Sequence, residues 1–179
     1  MPAETHTRTS VSLEALLTAR EQRAARQADW LRLYRQPIIS LTLVTPGSVK
    51  DNQRYRNCMG VALLMCDQLL RKHRWRVLDR NVLWLPTGPE ALWCVAHPAA
   101  EIKAHCAELE QTHPLGRLWD LDVICPANGH IGRLSLGRNL RRCLVCDQPA
   151  HACSRSRQHP VEQVAACVEK LINDWFSRD

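Results

Sequence analysis

The succession of elements along the chain predicts an α+β fold, a ferredoxin-like β-α-β-β-α-β core over residues 38–136 with a helix before it and a helix after it. Three observations predict it. Short runs rich in apolar and β-branched residues, at 38–44, 75–85, 91–96 and 119–125, alternate with two longer helical stretches at 51–73 and 99–112. Pro37, Thr45-Pro-Gly-Ser48, Pro86-Thr-Gly-Pro89 and Pro98 fall between these runs, where turns and helix starts belong. The two middle strands are joined by a turn and not by a helix, as an antiparallel sheet with both helices on one face requires.

Each element has a local reason. Ser12 is placed to cap a helix that runs to about residue 35, with apolar ends (Leu13, Leu16, Leu17; Trp30, Leu31, Leu33) and a polar middle. Pro37 ends it, and Ile38-Ile-Ser-Leu-Thr-Leu-Val44 follows as a strand. The turn at 45–48 opens the second helix, and Pro98 starts the third. Ala127-Asn-Gly-His130 predicts a hairpin whose return strand runs through Ile131 to Leu136. An irregular Arg/Cys-rich loop, 137–159, leads to a closing amphipathic helix at 160–176, apolar at Val161, Val164, Ala165, Val168, Leu171, Ile172 and Trp175. With no repeat or linker, residues 1–179 read as one domain, residues 1–36 being its N-terminal arm.

Composition narrows the class. A hydrophobic content of 45% and a charged content of 23% are those of a globular protein, and no apolar run is long enough to span a bilayer. The opening residues carry Glu4 and Arg8 and no secretory segment. Nine cysteines, an odd number, then fit a reducing compartment, and a cytoplasmic protein is expected. Cys58, Cys66, Cys94, Cys106, Cys125 and Cys167 fall on helix or strand patterns and read as packing. Of the net charge of +6, the segment 133–157 alone supplies +5, from Arg133, Arg138, Arg141, Arg142, Arg155 and Arg157 against Asp147. Arginine forks suit phosphates and carboxylates, so a polyphosphate, an acidic protein or a nucleic acid is the partner they imply.

The chemistry concentrates in His113-Pro-Leu-Gly-Arg-Leu-Trp-Asp-Leu-Asp-Val-Ile124. As a strand it sends Trp119, Leu121, Val123 and Cys125 to one face, and Leu118, Asp120, Asp122 and Ile124 to the other. Asp120 and Asp122 then stand about 7 Å apart on an otherwise apolar face. A hard cation between them, Mg²⁺ above all, would relieve their repulsion and bring phosphates with it. The pattern alone equally admits a half-exposed edge strand with two solvated carboxylates. His113 lies close enough in sequence to serve as a proton acceptor. Arg117 can reach the pair only if Gly116 makes an irregular turn, and Lys50, after Thr45-Pro-Gly-Ser-Val49, can meet a phosphate. Glu110 offers a third carboxylate or a solvated helix end. Separately, Cys143-x2-Cys146-x6-Cys153-x5-His159 can close a tetrahedral structural Zn²⁺ site, with His151 as a competing ligand; three ordinary thiols in a loop are the alternative.

HPLGRLWDLDV resembles the signature of the citrate lyase holo-acyl-carrier-protein synthases, the apo-citrate lyase phosphoribosyl-dephospho-CoA transferases. The likeness extends to Arg20-Glu-Gln-Arg-Ala-Ala-Arg26 with Trp30-Leu31, to 44–50, to Glu108-Leu-Glu110 and to the 141–159 tail. It implies a nucleotidyltransferase-type enzyme that moves phosphoribosyl-dephospho-CoA from 2′-(5″-triphosphoribosyl)-3′-dephospho-CoA to a serine of the acyl carrier (gamma) subunit of citrate lyase, releasing pyrophosphate. In that reaction Asp120 and Asp122 would hold Mg²⁺, one of them or His113 would take the serine proton, and Arg117, Lys50 and Gly116 would bind the donor. The basic 133–157 segment would dock the acidic carrier. Neither a membrane nor a nucleic acid is expected as partner. The reading from a different class is a zinc-stabilised basic nucleic-acid-binding module without catalysis. Against it stand only one Phe and two Tyr for base stacking, though there are six Trp, and an Asp pair with no task.

Overall fold

Period-2 patterning and turn chemistry build a sheet of five antiparallel strands, ordered β2-β3-β1-β4-β5. The strands are β1 (Ile38–Leu43), β2 (Arg76–Leu85), β3 (Gly88–Ala96), β4 (Trp119–Cys125) and β5 (Gly129–His130). Five helices accompany them: α1 (Leu13–Tyr34), α2 (Gln53–Lys72), α3 (Ala99–Thr112), α4 (Ala150–Ser156) and α5 (Val161–Phe176). The structure, a computed structural model, describes residues 10–178; the charged opening with Glu4 and Arg8 lies outside them. Among the described residues no helix is long and apolar enough to cross a membrane.

The two faces of the sheet are different in kind. Ile39, Leu41, Trp93, Val95, Leu121 and Val123 point to one side and are fully buried there. Against them lie Tyr55, Cys58, Met59, Ala62, Cys66 and Leu70, spaced by threes and fours along α2, with Ile102, Cys106 and Leu109 of α3 and Val168 and Ile172 of α5. On the other side Ile38, Leu92, Cys94 and Ile124 form a small apolar patch covered by Trp30, Leu31 and Tyr34 at the end of α1. Farther along the same face the surface becomes polar: Ser40, Thr42, Glu90, Asp120 and Asp122 all point that way, in register across β1 and β4. The polar middle of α1 lies over it, with Gln27 donating to Ser40 Oγ at 2.9 Å.

Caps set the helix ends as the sequence implies. Ser12 accepts the Ala15 N–H at 3.1 Å to start α1, and Asn52 accepts that of Tyr55 at 2.9 Å to start α2. Two expectations change. The return strand expected through Leu136 is only two residues long. After Ile131, whose N–H still reaches the Val123 carbonyl, the chain leaves the sheet because Arg133 is drawn to Glu110 on α3. The Arg/Cys segment is also not wholly irregular, since it contains α4.

Candidate active site and metal centre

β4 presents its carboxylates as the alternation requires. Trp119, Leu121 and Val123 are fully buried, while Asp120 and Asp122 face α1 opposite Thr42 and Ser40 of β1. Asp120 opens onto a cleft of about 960 Å³ at this end of the sheet. Lys50, Arg117 and Arg141 also line it, as do Arg20 and Arg23 from α1. Asp122 sits deeper, and its carboxyl is pushed above the usual range by burial and then by the charge of Asp120. The face is more polar than the sequence suggested, because Ser40, Thr42 and Glu90 adjoin the pair across the strands.

Arg117 reaches the cleft by the irregular route that the sequence allowed. Residues Gly116–Leu118 form a single 3₁₀ turn before β4, so the strand alternation does not yet hold at Arg117. Its guanidinium donates to the Arg142 carbonyl, and its pKa is lowered by burial and then by Arg141 and Arg133. Lys50 donates to the Thr45 carbonyl and lines the same cleft; burial, then Arg20, push its ammonium below the ordinary lysine range. Gly116 is a close-packing position. A Cβ there would run into the Glu110 carbonyl and come within 2.8 Å of Leu109 O, so the turn can lie against α3 only without a side chain.

His113 is not brought to the carboxylates. It caps the end of α3, accepts the Leu115 N–H on Nδ1 at 3.0 Å, and stacks on Trp119 and Trp175 with ring centroids 4.4 and 4.7 Å away. Trp119 belongs to the helix-covered core, so His113 is on the side of the sheet opposite Asp120, and burial lowers its pKa. Glu110 is neither solvated nor a third ligand. Only 3% exposed, it accepts the Leu121 N–H at 2.7 Å and pairs with the buried Arg133 guanidinium.

Two residues that the sequence did not single out complete the cleft. Arg141 donates from Nη1 to Asp120 at 3.1 Å, and from Nη2 to the Trp119 and Arg117 carbonyls at 2.7 and 3.0 Å. Glu90, 5% exposed, holds Arg23 at 3.0 Å and also Arg26. Composition marked Arg141 as one of six arginines, with nothing to separate it from the rest. Arg133 and Arg141 are thus taken up inside the molecule, and the basic surface is smaller than the +5 count suggested. This weakens the nucleic-acid reading.

Cys143, Cys146, Cys153 and His159 do come together: their four ligand atoms lie within 4.8 Å of one another. Cys146 Sγ is 3.5 Å from Cys153 Sγ and 3.2 Å from His159 Nε2. It is the one group of three or more His, Cys, Asp or Glu side chains among the described residues arranged to hold a metal, and His151 is not part of it. Burial pushes the Cys143 thiol up, but N–H donors of Val145 and Cys146 and the neighbouring thiols outweigh this and leave it below the ordinary value. The group borders the cleft, since Cys143, Cys153 and His159 line it too. Of the other thiols, Cys58, Cys66, Cys94 and Cys106 are buried as expected, Cys125 packs half-buried at the edge of the core, and Cys167 is half-buried outside it.

Residues 11–175 match the family model described as apo-citrate lyase phosphoribosyl-dephospho-CoA transferase. The chain belongs to that family. Relatives bearing this name in Escherichia coli O1:K1 / APEC and Escherichia coli strain SMS-3-5 / SECEC are 36% identical over 165 residues, 92% of this chain and 90% of theirs. One from Shigella boydii serotype 18 matches to the same extent. The matched span contains every element of the sheet, the Asp pair and the Cys/His group, so family membership covers the whole candidate site and not a fragment of it.

Proposed function

We propose that this chain transfers the phosphoribosyl-dephospho-CoA group from 2′-(5″-triphosphoribosyl)-3′-dephospho-CoA to a serine of the apo acyl carrier subunit of citrate lyase. A phosphodiester forms and pyrophosphate leaves. The observation that carries the reading is the juxtaposition, in a chain of this family, of the Asp120–Asp122 face with a cleft walled by Lys50, Arg117 and Arg141.

Asp120 and Asp122 are assigned to a divalent cation. Two hard oxygen donors on one strand face fit Mg²⁺, which takes water and phosphate oxygens besides; the Asp122 pKa is raised by burial first and then by the charge of Asp120, and a cation there would offset both. Bound there, Mg²⁺ would neutralise charge developing on the leaving pyrophosphate. Arg117 and Lys50 bind the triphosphate from the cleft wall. One carboxylate of the pair takes the serine proton; His113, turned into the opposite face, is left out of that role. Gly116 acts indirectly, by allowing the turn that carries Arg117. The Cys₃His group is assigned a structural Zn²⁺, for which thiolate and imidazole donors are suited. The carrier docks on the arginines that remain exposed, Arg142, Arg155 and Arg157 among them. Element order and strand order β2-β3-β1-β4 support a ferredoxin-like core extended by β5.

The test is mass spectrometry of the apo carrier subunit together with pyrophosphate release, in the presence of donor and Mg²⁺. A donor-sized mass gain with wild type, lost in Asp120→Asn and Asp122→Asn, is the expected result. Full activity in both variants would remove the carboxylates from the mechanism, and no transfer by wild type would remove the function itself.

A further inference from the structure

The arginine that touches Asp120 is two residues from a metal-centre cysteine, and the chain between them is held at both ends. Arg142 bridges to Pro149, the Ala150 N–H donates to the Arg141 carbonyl at 2.8 Å, and the Cys143 N–H to the Gln148 carbonyl at 2.8 Å. Residues 141–150 therefore form a closed loop with Cys143 and Cys146 inside it. Three further contacts tie this loop to the chain entering β4: Arg141 grips the Arg117 and Trp119 carbonyls, and Arg117 grips the Arg142 carbonyl. Arg141 thus holds the backbone of Arg117, and Arg117 holds that of Arg142, the next residue of the loop.

The loop has almost no core of its own. Between residues 137 and 159 the only buried side chain is that of Cys153, a member of the Cys₃His group. Such a segment cannot hold a fixed shape by apolar burial, and a bound metal is the means by which small thiol-rich loops do so. The Arg141 guanidinium uses both N–H bonds of Nη2 on carbonyls and one of Nη1 on Asp120. One N–H of Nη1 and the Nε–H remain for a ligand in the cleft that Arg141 lines. Its orientation is fixed, and its charge is only partly met by a single contact to a half-exposed carboxylate.

We infer that Arg141 is a polyphosphate-binding residue, and that Zn²⁺ in the Cys143–Cys146–Cys153–His159 group is the brace that aims it, so metal occupancy sets the affinity of the cleft for phosphates. The inference rests on the proposed reading of the cleft as a triphosphate site and extends it by giving Arg141 a part in binding the triphosphate and by tying that part to the metal group. The metal takes no part in bond making. Its loss acts through Arg141, and the effect falls on binding before turnover.

The probe is inorganic tripolyphosphate, titrated calorimetrically into the full chain with Mg²⁺ present, with zinc content measured on the same samples. Zinc-loaded wild type should bind it. Arg141→Ala should weaken binding about tenfold or more, the loss of a charge-assisted contact. Arg141→Lys should not restore it, because an ammonium cannot grip two carbonyls and an anion in one plane. Stripping zinc with a chelator should weaken wild type to the level of Arg141→Ala and leave Arg141→Ala little changed, with recovery on adding zinc back. In the transfer assay the same samples should show a raised donor KM with a smaller change in kcat.

Equal binding by zinc-free and zinc-loaded wild type would overturn the brace, and unchanged binding by Arg141→Ala would overturn the role of Arg141. A chain that takes up no zinc would overturn the metal assignment. If zinc-loaded wild type binds no tripolyphosphate, the cleft reading itself fails; if it transfers normally while Arg141→Ala binds as wild type, only this inference fails.

Discussion

Gly116→Ala is the smallest change that should disturb both the fold and the cleft. The glycine does not have a positive φ, so alanine meets no backbone penalty there; the cost is steric. A Cβ would meet the Glu110 carbonyl head-on and come to 2.8 Å from both its carbon and Leu109 O, where real Cβ contacts stay beyond 3.0 Å. Neither partner can yield easily. The end of α3 is anchored by the Leu109 carbonyl, which accepts from His113, and by the Glu110 side chain, locked to Leu121 and Arg133. The turn must move instead, and Arg117 moves with it.

Overpacking of this kind costs about 1–3 kcal/mol, and backbone on both sides places it toward the upper end. For a chain of this size each kcal/mol lowers Tm by about 2–4 °C, so a drop of roughly 6–12 °C is expected. Because the Arg117 carbonyl is also an anchor of Arg141, a shift approaching 1 Å should raise the donor KM, by up to about 100-fold. Scanning fluorimetry and transfer kinetics read the two effects. Gly60→Ala is the control: it lies in α2 with nothing within 4 Å of its Cβ, and should stabilise by about 0.5–1 kcal/mol. A Gly116→Ala protein melting within 1 °C of wild type would refute the steric argument. A lowered Tm with an unmoved KM would show that α3 yields and the turn does not.

Three further outcomes follow from the same geometry. Asp122→Asn should abolish transfer yet raise Tm at neutral pH. The folded state holds this carboxyl above its unfolded pKa, so ionising it costs stability as pH rises between the two values; removing the charge should return that stability, and a variant less stable than wild type at pH 7 would contradict this. Glu110→Gln should cost about 3–5 kcal/mol in urea denaturation, because it leaves the Arg133 charge buried beside an amide donor; an unchanged midpoint would show that the pair is solvated. His113→Asn, which keeps an acceptor for the Leu115 N–H, should retain kcat within about threefold, whereas a loss of about 100-fold or more would restore the histidine to acid–base chemistry.

What the sequence made legible were properties of single elements. Alternation assigned the faces within β4 but failed one residue earlier, since Leu118, counted on the Asp face, ends the 3₁₀ turn and packs in the helix-covered core; the spacing of Cys143, Cys146, Cys153 and His159 anticipated a group that does converge. The failures are contacts between elements. Glu110 reads as a helix-end carboxylate until Arg133, far along the chain, is seen to bury it, and the same contact cuts β5 short. His113 precedes a 3₁₀ turn, so its side of the sheet could not be counted back from Asp120. Arg141 differs from its five neighbouring arginines only in what it touches. No local pattern carries that information.

α1 shows why the cleft has the chemistry it has. Its apolar ends and polar middle make it a poor amphipathic helix, yet each part faces a matching part of the sheet. Trp30, Leu31 and Tyr34 cover the Ile38–Leu92–Cys94–Ile124 patch, while Arg23 and Arg26 cover Glu90 and Leu16 and Ala19 reach the cleft. Two guanidinium groups on one buried carboxylate leave a positive balance on that wall, which Lys50, Arg117 and Arg141 increase. The floor has the opposite sign, with Asp120 in the opening and Asp122 beneath it. A bare anion would be repelled by the floor and a bare cation by the wall. A ligand that brings a divalent cation on a polyphosphate would meet both at once, which is why the proposed donor suits this cleft better than either ion alone.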